Sequence, residues 1–329
     1  MKLDAPVILS VLALGFAAPA GVAQSCPTAF TNGSRNLFIG HSFLLQPSLQ
    51  FSALADLNGY TWNAYSYSGG SGSQGSPGEL WDDADGSRTE IEAKLATGAF
   101  EVLAMTSFGQ STNTLDFRRW MNLALSYNPN TQFFIVQGWP SGGPGMDAAE
   151  FRETVISRGE NLFSIVETLR GDFPNNRVTF VNSGMVAAEL FDLWESGELP
   201  DVACLAAPCD TGEPLFADGG SGHAGPMMAE LMGLAWLNAL NGADVDTVQL
   251  KVDYLADVDG VMERVLAFND QFETTTTSLP HDWNTDGECS FFDIASFLRN
   301  FDAGNMTTDL TGDGILDGAD ILRLIEVLP

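Results

Sequence analysis

Short apolar runs alternate with longer stretches in which apolar side chains recur every three or four positions. Asn36-Leu37-Phe38-Ile39-Gly40 predicts a buried strand. A helix is expected to start near Pro47, because proline is favoured at the first helical position. Tyr60 to Tyr67 predicts a second strand, ending in Ser68-Gly69-Gly70-Ser71-Gly72. Phe100 to Thr106 predicts a third, followed by a helix through Trp120 and Ala124. Gln132 to Gln137 and Arg177 to Asn182 predict two more, with a helical Glu153 to Arg170 between them. Met227 to Leu240 is a strongly apolar helix opened by Pro226 and stopped by Gly242. This alternation predicts an α/β fold, a parallel sheet with helices on both faces. In such sheets ligands sit at the carboxyl ends of the strands, which directs attention to the loops after each strand.

The pattern breaks at both ends of the chain. Lys2 leads into an apolar run from Pro6 to Ala18 and then to Gly21-Val22-Ala23, the order of a secretory signal peptide over residues 1–23. The run is too short to span a bilayer comfortably, and no later segment is long and apolar enough to do so. The expectation is an exported protein beginning near Gln24. At the other end, Glu273 and Thr274-Thr275-Thr276-Thr277-Ser278-Leu279-Pro280 carry no periodicity and read as a linker over 273–281. It separates a body, 24–272, from a tail, 282–329.

Charge narrows the function classes. Against 14 Lys and Arg stand 43 Asp and Glu, a net charge of −29 over 329 residues. Such a field repels phosphate backbones and anionic lipid, which argues against a nucleic-acid partner or a polybasic membrane anchor. It suits a protein working in salty water or binding divalent cations. Export permits disulfides among Cys26, Cys204, Cys209 and Cys289. The easiest pairing is the local one, Cys204 with Cys209, but three connectivities are open.

Three histidines make the search for catalytic chemistry short: His41, His223 and His281. Ser42 comes directly off the first strand and ahead of a helix, where backbone N–H groups can stabilise an anion. A serine hydroxyl needs a base to take its proton. His41 is its sequence neighbour, and neighbours off a strand end tend to point apart, so His223, just ahead of the last large helix, is the better base. Asp218, five residues earlier, can hold the imidazole tautomer. Trp62, Tyr65 and Trp139 lie near strand ends, but core packing is the expected role of each.

Leu37-Phe38-Ile39-Gly40-His41-Ser42-Phe43 resembles the first block of the SGNH (GDSL-like) hydrolases, in the branch with Gly-x-Ser-Phe. The glycine-rich end of the second strand resembles the second block, and Asp218 to His223 before an apolar helix resembles the last. The resemblance implies a flavodoxin-like three-layer sandwich and a serine esterase. Ser42 would be the nucleophile, His223 the base and Asp218 its orienting acid. The oxyanion would rest on the backbone of Ser42 and of Gly70 or Gly69. Two departures stand out. The family places the acid three residues before the histidine, whereas here the gap is five, leaving Asp210, Glu213 or no acid as alternatives. The third block normally offers Gly-x-Asn-Asp. Here Thr106-Ser107-Phe108-Gly109-Gln110-Ser111-Thr112-Asn113 offers Gln110 first and Asn113 second as an amide donor.

The tail carries a repeat. Asp282, Asn284, Asp286, Ser290 and Asp293 occupy positions 1, 3, 5, 9 and 12 of an acidic loop, with Gly287 at 6 and the Glu288 carbonyl at 7. Asp309, Thr311, Asp313, Asp317 and Asp320 repeat this, with Gly314 and the Ile315 carbonyl. Calcium takes 6–8 oxygens, and this spacing wraps a loop around one ion. Apolar helical runs follow, Phe291 to Phe301 and Ile321 to Leu328. The pair resembles a type I dockerin, which implies a small all-α calcium module and a cohesin-type protein partner. A calcium-stapled stability cap is the alternative. The expectation is therefore a secreted serine esterase needing no cofactor for catalysis and acting on esters, first among them acetyl groups on polysaccharides. Against it stands a non-catalytic surface, carbohydrate-binding or assembly protein that works through its calcium tail.

Overall fold

The computed structural model describes residues 35–60, 63–68, 72–83, 86–107, 113–174 and 176–273, with 297–299, 301, 317, 318 and 321. The chain divides into two compact units, Pro27–Thr276 and a second made of Met1–Cys26 with Thr277–Pro329. The segment read as a signal peptide and nearly all of the two acidic loops lie outside the described residues. Of the twelve loop positions only Asp317 is described, and it is exposed. Phe297 in the same unit is buried and stacks on Phe301.

In the larger unit the strands are β1 (Arg35–Gly40), β2 (Asn63–Ser68), β3 (Val102–Thr106), β4 (Gln132–Gln137) and β5 (Val178–Asn182). They form one parallel sheet in the order β2-β1-β3-β4-β5. Successive side chains of a strand face opposite ways, and here both faces are apolar. Phe38, Val102, Ala104, Phe134, Val136 and Val181 enter one core; Leu37, Ile39, Leu103, Met105, Phe133, Ile135 and Phe180 enter the other. Burial on both faces is what a parallel sheet between two helix layers requires.

On the first face pack α1 (Ser42–Leu57), α6 (Gly184–Ser196), α7 (Pro226–Asn241) and α8 (Val258–Glu273). On the second pack α2 (Pro77–Asp82), α3 (Ser87–Leu95), α4 (Thr114–Tyr127) and the C-terminal half of α5 (Ala148–Asp172), whose N-terminal half joins the first core. The result is a three-layer α/β sandwich. The chain leaves β1 toward β2 on one side, while β3 lies on the other, so the sheet switches direction beside the carboxyl end of β1. A short parallel pair, β6 (Val202–Ala206) with β7 (Glu213–Phe216), lies outside the main sheet, and the Cys204–Cys209 disulfide closes the turn between them. Among the described residues no helix is long and apolar enough to cross a membrane.

The helix expected from near Pro47 starts five residues earlier, at Ser42, with Pro47 inside it. The start is set by a cap rather than by the proline. The His41 side chain accepts the Phe43 N–H (3.3 Å), and the His41 carbonyl accepts from Leu44 (2.9 Å). Capping of this kind satisfies donors that have no partner within the helix. The difference matters, because it puts Ser42 on the first turn instead of in a loop.

Candidate active site

His41 is buried, with 3% of its surface exposed. Its Nδ1 serves as the acceptor of the cap, so the proton sits on Nε2, which donates to the Ser107 carbonyl at the end of β3 (3.0 Å). Burial lowers its pKa, against the Ser107 hydrogen bond that raises it, and the nearby His223 charge lowers it further. His41 is a neutral structural pin tying β1, α1 and β3 together, and it is not the base. Packing around it leaves no spare room. A Cβ added to Gly75 would lie 2.4 Å from the His41 Cα, so the Gly72–Gly75 turn presses its backbone directly on the residue before Ser42.

Ser42 Oγ lies 2.8 Å from His223 Nε2, although 181 residues separate them. The other ring nitrogen, Nδ1, hydrogen-bonds Asp218 Oδ2. The serine hydroxyl therefore donates to Nε2, and the imidazole donates from Nδ1 to the carboxylate. The side chains of His223 and Asp218 are 30% and 37% exposed, which leaves the constellation open to a ligand.

The five-residue gap between acid and base is filled by a loop built on the acid itself. Phe216 and Ala224 bridge antiparallel across its neck, where Ala217 N–H donates to the His223 carbonyl (2.7 Å). Within the loop, Asp218 Oδ1 accepts from Gly220 (3.1 Å), Ser221 (2.5 Å) and Gly222 (3.0 Å), and Oδ2 also accepts from His223 N–H (3.3 Å). Gly222 adopts φ +76°, a left-handed conformation that disfavours other residues. The Gly-Gly-Ser-Gly insert thus bulges into a ring of donors while the Asp218–His223 hydrogen bond is made. Asp210 and Glu213, the alternatives for the acid, are exposed. Partial burial pushes the Asp218 carboxyl upward. The His223 imidazole and the N–H groups of Gly222, Ser221 and His223 outweigh this and hold it well below the usual carboxylate range.

Two aromatic residues support His223. Phe43 stacks on Trp139 with ring centroids 4.6 Å apart and planes at 3°, and sets its edge to the His223 ring at 5.1 Å. Trp139 Nε1 donates to the Gly222 carbonyl (2.7 Å), so one buried indole carries the imidazole through Phe43 and pins the loop that holds its acid. Core packing, the role expected for Trp139, understates this. Its position after β4 was the only sequence signal, and the hydrogen bond spans 83 residues. Gly70 and Gln110, expected as oxyanion donors, lie outside the described residues, as does Trp62; of Tyr65 only the backbone is described. Asn113 is the N-cap of α4, its side chain accepting from Asp116 N–H, which gives it a structural task.

The site opens into a cleft of 460 Å³ that runs from Ser42 and His223 between the first turns of α1 and α7.

No protein-family model matches the sequence, and no curated protein matches it. Among solved structures, a DUF4886 family protein from Bacteroides uniformis aligns over 72% of this chain and 96% of its own, with a TM-score of 0.50 and 12% identity. The periplasmic domain of a lipopolysaccharide acetyltransferase from Salmonella ser. Paratyphi A aligns over 67% of this chain and 89% of its own, with a TM-score of 0.33 and 13% identity. The first likeness is one of fold alone.

Proposed function

We propose that the body of this chain is a serine carboxylic ester hydrolase of SGNH-like, flavodoxin-like architecture. The observation that carries the reading is the continuous hydrogen-bonded line from Ser42 Oγ through His223 to the Asp218 carboxylate. Ser42 Oγ attacks the ester carbonyl carbon as its proton passes to His223 Nε2. The carbonyl π pair moves to oxygen, and Asp218 stabilises the imidazolium that forms. The Ser42 N–H, at the first helical position where no intrahelical partner exists, faces the developing oxyanion. Gly70 and Gln110 are the proposed further donors. As the tetrahedral species collapses, the bond to the alcohol oxygen breaks and Nε2 returns the proton to that oxygen. Water then attacks the acyl-enzyme by the same route, releasing the acid and restoring Ser42.

Export and a calcium-binding tail, both argued from the sequence, make polysaccharide-bound acetyl esters the first substrates to try, with a cohesin-type partner for the tail. The test is hydrolysis of p-nitrophenyl acetate by the mature protein beside Ser42→Ala and His223→Ala. Turnover in the parent, falling about 10⁴-fold or more in each variant, supports the mechanism. Equal turnover in parent and Ser42→Ala overturns it; where that turnover is no faster than in buffer alone, the non-catalytic assembly reading takes its place.

A further inference from the structure

The cleft beside Ser42 has a composition that narrows the substrate. Its aliphatic lining comes from Leu45 on α1, from Ala224 just before α7, and from Pro226 and Ala229 in the first turn of α7. The other polar contributors away from Ser42, His223 and Asp218 are two neutral amides, Gln46 and Gln50, on α1. Gln46 is exposed and free to turn. Gln50 is oriented, because its Oε1 accepts from Lys251 Nζ (2.8 Å), which leaves its NH₂ as a donor. Lys251 is itself anchored: its N–H donates to Glu230 Oε1 (2.6 Å), whose other oxygen accepts from Tyr254 OH (2.7 Å). Among the described residues, the only ionised group lining the cleft is Asp218, already surrounded by donors.

Which half of an ester enters this cleft follows from proton delivery. In the collapse step Nε2 must reach the leaving oxygen, so the alcohol half lies along His223. The cleft is the space bounded by Ser42, His223 and the residues that follow His223 into α7. At 460 Å³ it falls within the ordinary range for small-molecule sites and is far larger than a methyl or ethyl group needs. A lining of aliphatic side chains and neutral amides, in a chain of charge −29, fits a neutral ligand with one apolar face and several hydroxyls.

Resting on the esterase reading, we propose that this cleft binds the alcohol half of the ester and selects a neutral polyol about the size of one sugar ring. The aliphatic lining takes the C–H face of the ring, and Gln46 and Gln50 take its hydroxyls.

The experiment compares kcat/KM for four acetate esters: methyl acetate, cyclohexyl acetate, a mono-acetylated methyl glucoside and the same ester of methyl glucuronate. The expected order places the neutral glucoside ester at least tenfold above both cyclohexyl acetate and the anionic ester. Gln46→Leu is expected to lose about tenfold on the glucoside ester alone, the scale of one or two hydrogen bonds to neutral hydroxyls. Gln46→Trp fills the cleft from its exposed rim and is expected to lower kcat/KM for both ring esters at least tenfold more than for methyl acetate. Cyclohexyl acetate turned over as well as the glucoside, or a glucoside preference unchanged in both variants, overturns the inference while leaving the esterase intact. A separate arm needs no catalysis: saturation-transfer NMR of methyl glucoside on the Ser42→Ala protein. Binding that Gln46→Trp weakens at least tenfold upholds the cleft assignment even if no ester is hydrolysed, the outcome that would sink the esterase reading. No binding together with no hydrolysis overturns both.

Discussion

Replacing Asp218 with asparagine separates what the carboxylate does for the loop from what it does for the base. Oδ1 accepts the N–H groups of Gly220, Ser221 and Gly222, so only an oxygen is tolerated there. The new NH₂ must therefore occupy the Oδ2 position, facing His223 Nδ1 and the His223 N–H. An NH₂ can only donate to the ring nitrogen, so Nδ1 becomes the acceptor and the ring proton moves to Nε2. Nε2 then points an N–H at Ser42 Oγ and can no longer take its proton. The cost expected from the wrong tautomer is about 10³–10⁴ in kcat, or roughly 4–5.5 kcal/mol of barrier. Folding should lose about 2 kcal/mol, because three of the four loop bonds survive and a hydrogen bond to a charged group is worth about 1.5–3 kcal/mol. The assay is kcat and KM on p-nitrophenyl acetate, with thermal unfolding and the imidazole ¹⁵N shifts recorded on the same sample. A fall in kcat with KM nearly unchanged, a melting temperature lowered by several degrees but well above the assay temperature, and ¹⁵N shifts reporting the Nε2–H form, is the expected result. If Asp218→Asn keeps kcat within tenfold of the parent while folded, the carboxylate only builds the loop and the orienting role is refuted.

Other consequences follow from the same geometry. His41→Ala removes an N-cap and leaves the buried Ser107 carbonyl with only a long contact from the Thr106 hydroxyl (3.4 Å), so a loss of about 2–4 kcal/mol is expected in urea unfolding, with His41→Asn recovering the cap part alone. The folded pKa of His41 lies below 6.5, so the unfolded chain binds the extra proton first. Its share of stability is whole above pH 6.5 and is lost as pH falls through and below that value; melting curves from pH 7.5 to 5 should show a slope that His41→Asn flattens. For Asp218 the sign is the same, but the cause is hydrogen bonding to the charged form rather than burial. Its folded pKa is depressed, so its contribution is whole above the ordinary carboxylate pKa of about 4 and fades only in stronger acid, which melting below pH 4 checks in parent and Asp218→Asn. Gly75→Ala drives a methyl into the His41 backbone and should cost about 1–3 kcal/mol in unfolding free energy and lower kcat by shifting Ser42. Isothermal titration of the chelator-stripped full chain with calcium should find two sites, and Asp282→Ala and Asp309→Ala should each remove one; a chain that binds no calcium would refute the reading of the tail.

Much of the fold was legible because strand and helix periods are local properties. β1, β4 and β5 fall within one residue of the apolar runs that predicted them, and α7 is bounded by Pro226 and Gly242 as their backbone preferences require. Where burial erased the period, the elements were missed. All of Gly184 to Phe191 in α6 is buried, so no polar face marks it as a helix. The start of α1 was misplaced because a proline is visible in sequence, whereas a cap made by a buried imidazole depends on where β3 brings the Ser107 carbonyl.

The candidate site divides in the same way. Residue type and order along the chain singled out Ser42, His223 and Asp218, because a hydroxyl, an imidazole and a carboxylate after strand ends are recognisable one position at a time. Their mutual distances are not written in any local segment. Only the sheet order, which sets the carboxyl end of β1 beside the loop leading into α7, brings Ser42 within 2.8 Å of a base 181 residues away. Only the fold shows that Gly-Gly-Ser-Gly turns its N–H groups inward on Asp218, and that Trp139 supports both His223 and that loop. Sequence determines what each residue is able to do; long-range packing decides which residues do it together, since hydrogen bonds act over a few ångströms and the chain must be folded before those ångströms exist.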